Sequence, residues 1–316
     1  MNAARQERIE ALAQRLAQQL GDRVTRDAPL APYAGVGVGG PAELLVVARS
    51  RDAVIAGIQA ARELDAPWRV FGGLTNVLLP DAGLRGLVVL NHARDVAFDA
   101  AHRVRVEAGA AMVRVAREAV QRGLGGLTWA VGLPGSVGGA VVNNAGAFGG
   151  EIAGSLVAAT VLNPLGEVLN VEPAWFEFEY RRSKLKGAGT RWVVLDATFQ
   201  LKPRDPQRLA DKAAEYTERR QRAQPPGKTL GSTFKNPPGD YAGRLIEAAG
   251  LKGARGGGFV ISEQHANFFI NEGPGTAADY LALIELVQET VREQFGVTLE
   301  PEIEFVTDEE QVWQTG

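Results

Sequence analysis

Tyr180, Arg181, Arg182 and Ser183 stand in succession, and Ser232 follows Gly231 at the head of a Ser-Thr-Phe-Lys-Asn-Pro run ending at Pro237. An arginine side chain is permanently charged and forks onto carboxylates, so a Tyr–Arg pair can grip an anionic substrate. On residue types alone the same segment, with Lys184 and Lys186 beside it, reads as a solvated basic loop. Ser232 lacks the Gly-x-Ser-x-Gly setting of a nucleophile elbow. A serine between a glycine and a lysine can hand over a proton, or it can simply cap a turn. Glu302 alternates with Glu300 and Glu304, and by itself such a face is a solvated strand edge.

The glycines carry a second kind of chemistry. The runs Gly-Gly-Leu-Thr-Asn at 72–76 and Gly-Leu-Pro-Gly-Ser-Val-Gly-Gly at 132–139 can bring bare backbone N–H groups against a pyrophosphate. Neither is a P-loop, because no Gly-Lys-Ser/Thr follows. Either run alone could be an ordinary tight turn. Two in one chain favour a large, extended, anionic ligand, since each costs chain entropy on folding. A third cluster at 35–40 formally matches Gly-x-Gly-x-x-Gly, but a poor strand precedes it and a strand-like run over 41–48 follows. A dinucleotide fingerprint needs a strand before and a helix after, so that reading is rejected.

The elements that must position these residues follow from periodicity. Ile9, Leu12, Leu16 and Leu20 predict a helix that Gly21 ends. Helices are expected over 52–64, 112–122 and 241–249, and from a Thr276–Asp279 cap to Phe295. Strands are expected over 41–48, 68–71, 87–90, 104–108, 156–162, 192–201 and 297–305. Two prolines and mixed charge at 202–207 mark a domain boundary.

Composition excludes several functions. There is no cysteine, so disulfides, iron–sulfur clusters, a cysteine nucleophile and a cysteinyl–flavin link are all ruled out. Three histidines without ligand spacing leave no expected metal site. A net charge of −3 with no basic block argues against nucleic acid. No apolar run is long enough to span a bilayer, and the N-terminus lacks a signal-peptide core. The expectation is a cytoplasmic monomer.

The order of these motifs resembles the UDP-N-acetylenolpyruvoylglucosamine reductases, in their shorter subtype. The likeness runs from about residue 30 to 306 through Gly39–Ala42, the runs at 73–78, 132–140 and 144–147, Tyr180–Ser183, Gly231–Pro237, the runs at 242–246 and 265–268, and Leu299–Glu302. It implies an α+β chain: a two-lobed FAD-binding domain of the vanillyl-alcohol-oxidase (PCMH) type over residues 1–68 and 69–204, and a substrate-binding domain over 205–316. It further implies non-covalent FAD, reduced by NADPH, with the enolpyruvyl ether of a UDP-sugar reduced in turn to UDP-N-acetylmuramate. Cofactor contacts fall on Gly72, Gly73, Thr75, Asn76, Pro134, Gly135, Ser136, Gly138, Gly139, Asn144 and Gly146. Arg181 and Glu302 match the positions that stabilise the developing enolate, Glu302 either protonated or working through Arg181, and Ser232 matches the proton donor. Tyr180, Lys235, Asn236 and Asn267 are expected to hold the UDP-sugar. Leu74 and Thr75 depart from the pattern, which has Gly and Ser there; Thr75 keeps a hydroxyl. A flavin oxidase of the same fold class would not need the Gly231–Pro237 and Leu299–Glu302 segments together, and a sugar-nucleotide binder without catalysis would not need Arg181, Ser232 and Glu302.

Overall fold

The structure is a computed structural model and describes residues 3–186 and 191–307. Its chain forms two compact units that are not contiguous in sequence. The first comprises Met1–Ala28, Ala42–Gly73 and Arg85–Glu218; the second comprises Pro29–Pro41, Leu74–Leu84 and Arg219–Gly316.

The first unit has two cores. In one, helices α1 (Ala3–Leu20) and α2 (Arg51–Glu63) cover a four-stranded sheet. The strand order is Val24–Pro29, Pro41–Ala48, Leu84–Asn91, Trp68–Phe71. Ile9, Leu12 and Leu16 form the buried stripe of α1, and Gly21 (φ +65°) ends the helical run. Ser50 caps α2 by accepting the Ala53 N–H.

The second core lies under a five-stranded antiparallel sheet, ordered Val168–Val171, Leu156–Leu162, Val193–Gln200, Arg103–Glu107, Val96–Phe98. Against it pack α3 (Met112–Gln121) and α4 (Val137–Val142). The strand alternation that exposes Arg103 and Arg105 buries Val104 and Val106. Asp196, 3% exposed on the central strand, is held by Arg51, Arg105 and the Thr160 hydroxyl. Residues 202–207, where a boundary was expected, contain Lys202–Pro203 paired with Leu124–Gly125 and the first turn of α5 (Pro206–Ala223). The division between the units falls inside α5.

The second unit joins a three-stranded antiparallel sheet, Arg255–Gly256, Phe259–Ile261 and Phe269–Asn271, to α6 (Ala242–Ala248) and α7 (Ala277–Phe295). Thr276 and Asp279 form the expected capping box, and Asp81 adds to it by accepting the N–H groups of Ala277 and Ala278. The strand expected over 297–305 is a correction: only Glu304–Phe305 is strand, paired in parallel with Val77–Leu78. Pro301 has no N–H to give a ladder, and Leu299 and Ile303 are buried without one. Before Glu304 the pairing is local, a single bridge at Pro301 in which Glu300 O and the Glu302 N–H meet the backbone of Lys235 and Thr233. The observed α+β class is the expected one. No described helix is long and apolar enough to cross a membrane.

Candidate functional site

In the first unit the two glycine runs meet. A Cβ on Gly72 would fall 2.0 Å from Ser136 Oγ, and one on Gly73 would fall 3.1 Å from Gly135 Cα. Only glycine permits that approach. The N–H groups of Gly72, Gly73, Gly135 and Ser136 donate to no acceptor among the described residues. By contrast the first turn of α4 is internally spent. Val137 N–H goes to Ala110 O, Gly138 N–H to Ala108 O, and Gly139 N–H to the Ser136 hydroxyl. Gly138 is pressed on Ala108, where a Cβ would come within 2.9 Å of the alanine Cβ, whereas the space outside Gly139 is open apart from Ser136 Oγ. Pro134 precedes this turn in the same segment.

Asn144 and Gly146 occupy structural positions. Asn144 is 2% exposed, and its amide donates to Glu179 O and Glu151 while its oxygen accepts the Ala153 N–H. Gly146 pairs with Glu151 in a short hairpin whose turn is Phe148–Gly149, both at positive φ. The Phe148 ring stacks on Tyr216 of α5 at 4.3 Å.

Arg181 belongs to this unit too. It is the third residue of a tight turn in which Glu179 and Arg182 exchange backbone hydrogen bonds of 3.0 and 3.2 Å. Its φ of +57° is one that an L-residue adopts only at a cost. Tyr180 is exposed, and the Arg181 guanidinium carbon lies 5.3 Å from the centre of its ring.

The second unit gathers the remaining candidates around one extended segment. Ser232 bridges to Phe268 on one side. On the other side the Glu302 N–H donates to Thr233 O at 2.8 Å, and the Lys235 N–H donates to Glu300 O at 2.8 Å. The segments that carry Ser232 and Glu302 therefore lie side by side, with Glu302 across from Thr233. Tyr280, fully buried on α7, shares a 2.9 Å hydrogen bond with the Thr233 hydroxyl; burial pushes its phenol well above the ordinary range. Lys235 is ion-paired with Glu300. Asn236 accepts the first N–H of α6 from Ala242, and Asn267 spends its amide on the backbone of Phe234. Asn76, in the same unit, donates to Glu302 O at 3.2 Å and accepts from Glu304 N–H at 2.9 Å. Thr75 lies against Gly35, where a Cβ would come within 3.3 Å of Thr75 Cα.

Sequence reasoning missed Thr233, Tyr280 and Ser183. Only Tyr280 stands in an apolar periodic pattern, where a polar group signals a buried hydrogen bond; Thr233 and Ser183 stand among polar and basic neighbours and carry no such signal. Among the described residues no group of three or more His, Asp or Glu could hold a metal ion.

A family model described as the C-terminal domain of UDP-N-acetylenolpyruvoylglucosamine reductase matches residues 221–306. A model described as an FAD binding domain matches residues 42–172. The UDP-N-acetylenolpyruvoylglucosamine reductase of Rubrobacter xylanophilus is 44% identical over 291 residues, covering 92% of this chain and 97% of that one. The one from Geobacillus kaustophilus is 39% identical over 306 residues, covering 96% and 100%. The crystal structure of UDP-N-acetylenolpyruvylglucosamine reductase from Thermus caldophilus superposes with a TM-score of 0.76 at 35% identity, covering 90% of this chain and 98% of that one.

Proposed function

The chain belongs to the UDP-N-acetylenolpyruvoylglucosamine reductase family, and on that premise we propose that Arg181, Ser232 and Glu302 carry the reduction of the enolpyruvyl ether of a UDP-sugar. The product is UDP-N-acetylmuramate, a precursor of peptidoglycan, and NADPH is the reductant. We place this activity in the cytoplasm and assign it to the monomer.

The residues present fit FAD. The uncommitted N–H groups of Gly72, Gly73, Gly135 and Ser136, at backbone that a Cβ would obstruct, are the donors a pyrophosphate needs. Thr75 and Asn76 extend that assignment along the chain. Gly138 and Gly139 serve by packing and by leaving space, and Pro134, Asn144 and Gly146 by fixing the backbone beside them. Bound there, FAD relays hydride from NADPH to the enolpyruvyl double bond.

This chain's side chains do the rest. Hydride at the terminal carbon drives an electron pair onto the carbon next to the carboxylate, giving an enolate-like charge. Arg181 stabilises that charge. A carboxylate anion would oppose it, so Glu302 takes part protonated, as a donor. The Ser232 hydroxyl then gives its proton to the carbanionic carbon; a serine is a poor acid in water, but an enolate held close is base enough to take the proton. Tyr180, Lys235 and Asn236 hold the UDP-sugar, and Asn267 holds the segment that carries Ser232.

The observation that supports this reading is the register of the second unit, which sets Glu302 across from Thr233, the residue next to Ser232, through the Glu302 N–H to Thr233 O hydrogen bond. Stopped-flow absorbance of Ser232→Ala tests it. Reduction by NADPH should keep its rate, while reoxidation by the enolpyruvyl sugar should slow by about 10²–10⁴-fold. Equal slowing of both half-reactions would sink the assignment.

A further inference from the structure

We infer that Ser183, together with Asn144, is a positioning residue for Arg181; this rests on the role proposed for Arg181 above. An arginine at φ +57° occupies the turn position that glycine usually fills. Such a residue stays put only where its surroundings over-determine it. Here two buried side chains do so, one at each end of the turn. Ser183 is fully buried. Its hydroxyl donates to Val142 O at 2.6 Å and accepts the Leu185 N–H at 3.2 Å. Val142 ends α4, where carbonyls lack a partner within the helix, so the serine completes the helix while tying down the turn. At the other end Asn144 donates to Glu179 O at 3.0 Å.

Both ends of the Arg181 turn thus hang from one short stretch, Val142 to Asn144, that directly follows the glycine-rich segment. Asn144 is itself left-handed, at φ +40°, and is fixed by Glu151 and Ala153. A third contact runs from Lys186 Nζ to Arg181 O at 3.3 Å. The height of the arginine above α4 is set by directed hydrogen bonds, which tolerate little slippage. A misplacement of about 1 Å at a reacting group can cost on the order of 10²-fold in rate.

The test is a cycle of Ser183→Ala, Arg181→Ala and the double variant in the FAD-loaded enzyme, with reoxidation by the enolpyruvyl sugar followed anaerobically. Ser183→Ala alone should slow reoxidation about 10–100-fold and leave reduction by NADPH unchanged. In the Arg181→Ala background the same change should alter the rate less than about threefold, because the group being positioned is gone. A second readout needs no turnover: hydrogen exchange at the Arg182 and Leu185 amides should rise in Ser183→Ala while exchange in α3 stays as it was. Equal factors in both backgrounds, or unchanged reoxidation in Ser183→Ala, would overturn the inference and leave the proposed function standing. An Arg181→Ala enzyme as fast as the parent would overturn both. Should Ser183→Ala fail to fold, Lys186→Met enters the same cycle with the same two readings.

Discussion

Asn267 holds Phe234 by both ends of its amide: Nδ2 donates to the Phe234 carbonyl at 2.8 Å, and Oδ1 accepts the Phe234 N–H at 2.9 Å. A side chain here does what a neighbouring strand would do, and it sets the line of the segment from Ser232 to Lys235. Asn267 is 3% exposed, so nothing replaces the lost bond if the donor is removed. Asn267→Asp keeps the shape and turns a donor toward the Phe234 carbonyl into an acceptor. The expected cost is about 1–3 kcal/mol. The sign of its pH dependence follows. The buried aspartate has a folded pKa above its unfolded value of about 3.9, because only its protonated form can donate to the carbonyl. Stability is therefore retained at low pH and lost as pH rises through the folded value. The melting-temperature deficit against the parent should be larger at about pH 8 than at about pH 5. A deficit independent of pH would mean that the amide donor is not what holds Phe234.

How much of this was legible in the sequence depends on what kind of physics placed each residue. Apolar periodicity located α2, α3 and α7 to within a residue or two, and the end of α1 though not its start at Ala3, since burial of Leu12, Val115 and Tyr280 is what stabilises those helices. The strands Trp68–Phe71 and Leu156–Leu162 were readable for the same reason. Helix α5 was not: of its eighteen residues only Leu209 and Tyr216 are buried, so it shows almost no apolar stripe. The α4 helix hid inside a glycine-rich run, because its stability comes from the Ser136 cap and from Ala108 and Ala110 carbonyls far away in sequence. Motifs marked Arg181 in the first unit and Ser232 in the second. The groups that fix their surroundings, Val142 through Ser183 and Tyr280 through Thr233, are distant in sequence and are brought in within each unit only by its fold.

Leu74 gives a case where two local effects oppose each other. Its φ is +49°, in the region that glycine favours, yet its side chain is 3% exposed. Its carbonyl accepts the Gly35 N–H at 2.9 Å, so the backbone cannot swing away without breaking that bond. The left-handed conformation costs about 1–2 kcal/mol. Burial of a leucine side chain contributes about 1.5–3 kcal/mol, and removing it also leaves a cavity. Glycine further loses about 0.5–1 kcal/mol through the freedom it gains when unfolded. The balance favours leucine. Leu74→Gly should lower stability by about 2 kcal/mol despite relieving the strain, and a thermal melt will read it. A higher melting point than the parent would show that backbone strain outweighs burial at this position.

His265 makes acid the weak side of the second unit. Burial lowers its pKa below 6.5, and Lys252 adds to the effect, partly offset by a backbone hydrogen bond and by Glu247. The ring lies against Phe268 at 4.9 Å and against Gly243 of α6, and its Nδ1 accepts the Asn267 N–H at 3.2 Å. The neutral ring is thus the one the fold accommodates. A base with a depressed folded pKa contributes stability that is complete above the unfolded value and is lost as pH falls through the folded one. His92 shifts in the same direction, from burial and then from Arg94 and Arg49, so the two must be separated. His265→Asn keeps an acceptor near the place of Nδ1 and does not titrate. Between about pH 7 and pH 5, above the range where carboxylates dominate, this variant should lose less melting temperature than the parent. His92→Asn should remove a separate part of the slope, and the double variant should be flatter than either. A parent slope that survives in His265→Asn would mean that the imidazolium is tolerated beside the Asn267 N–H, and that the segment carrying Ser232 does not feel it.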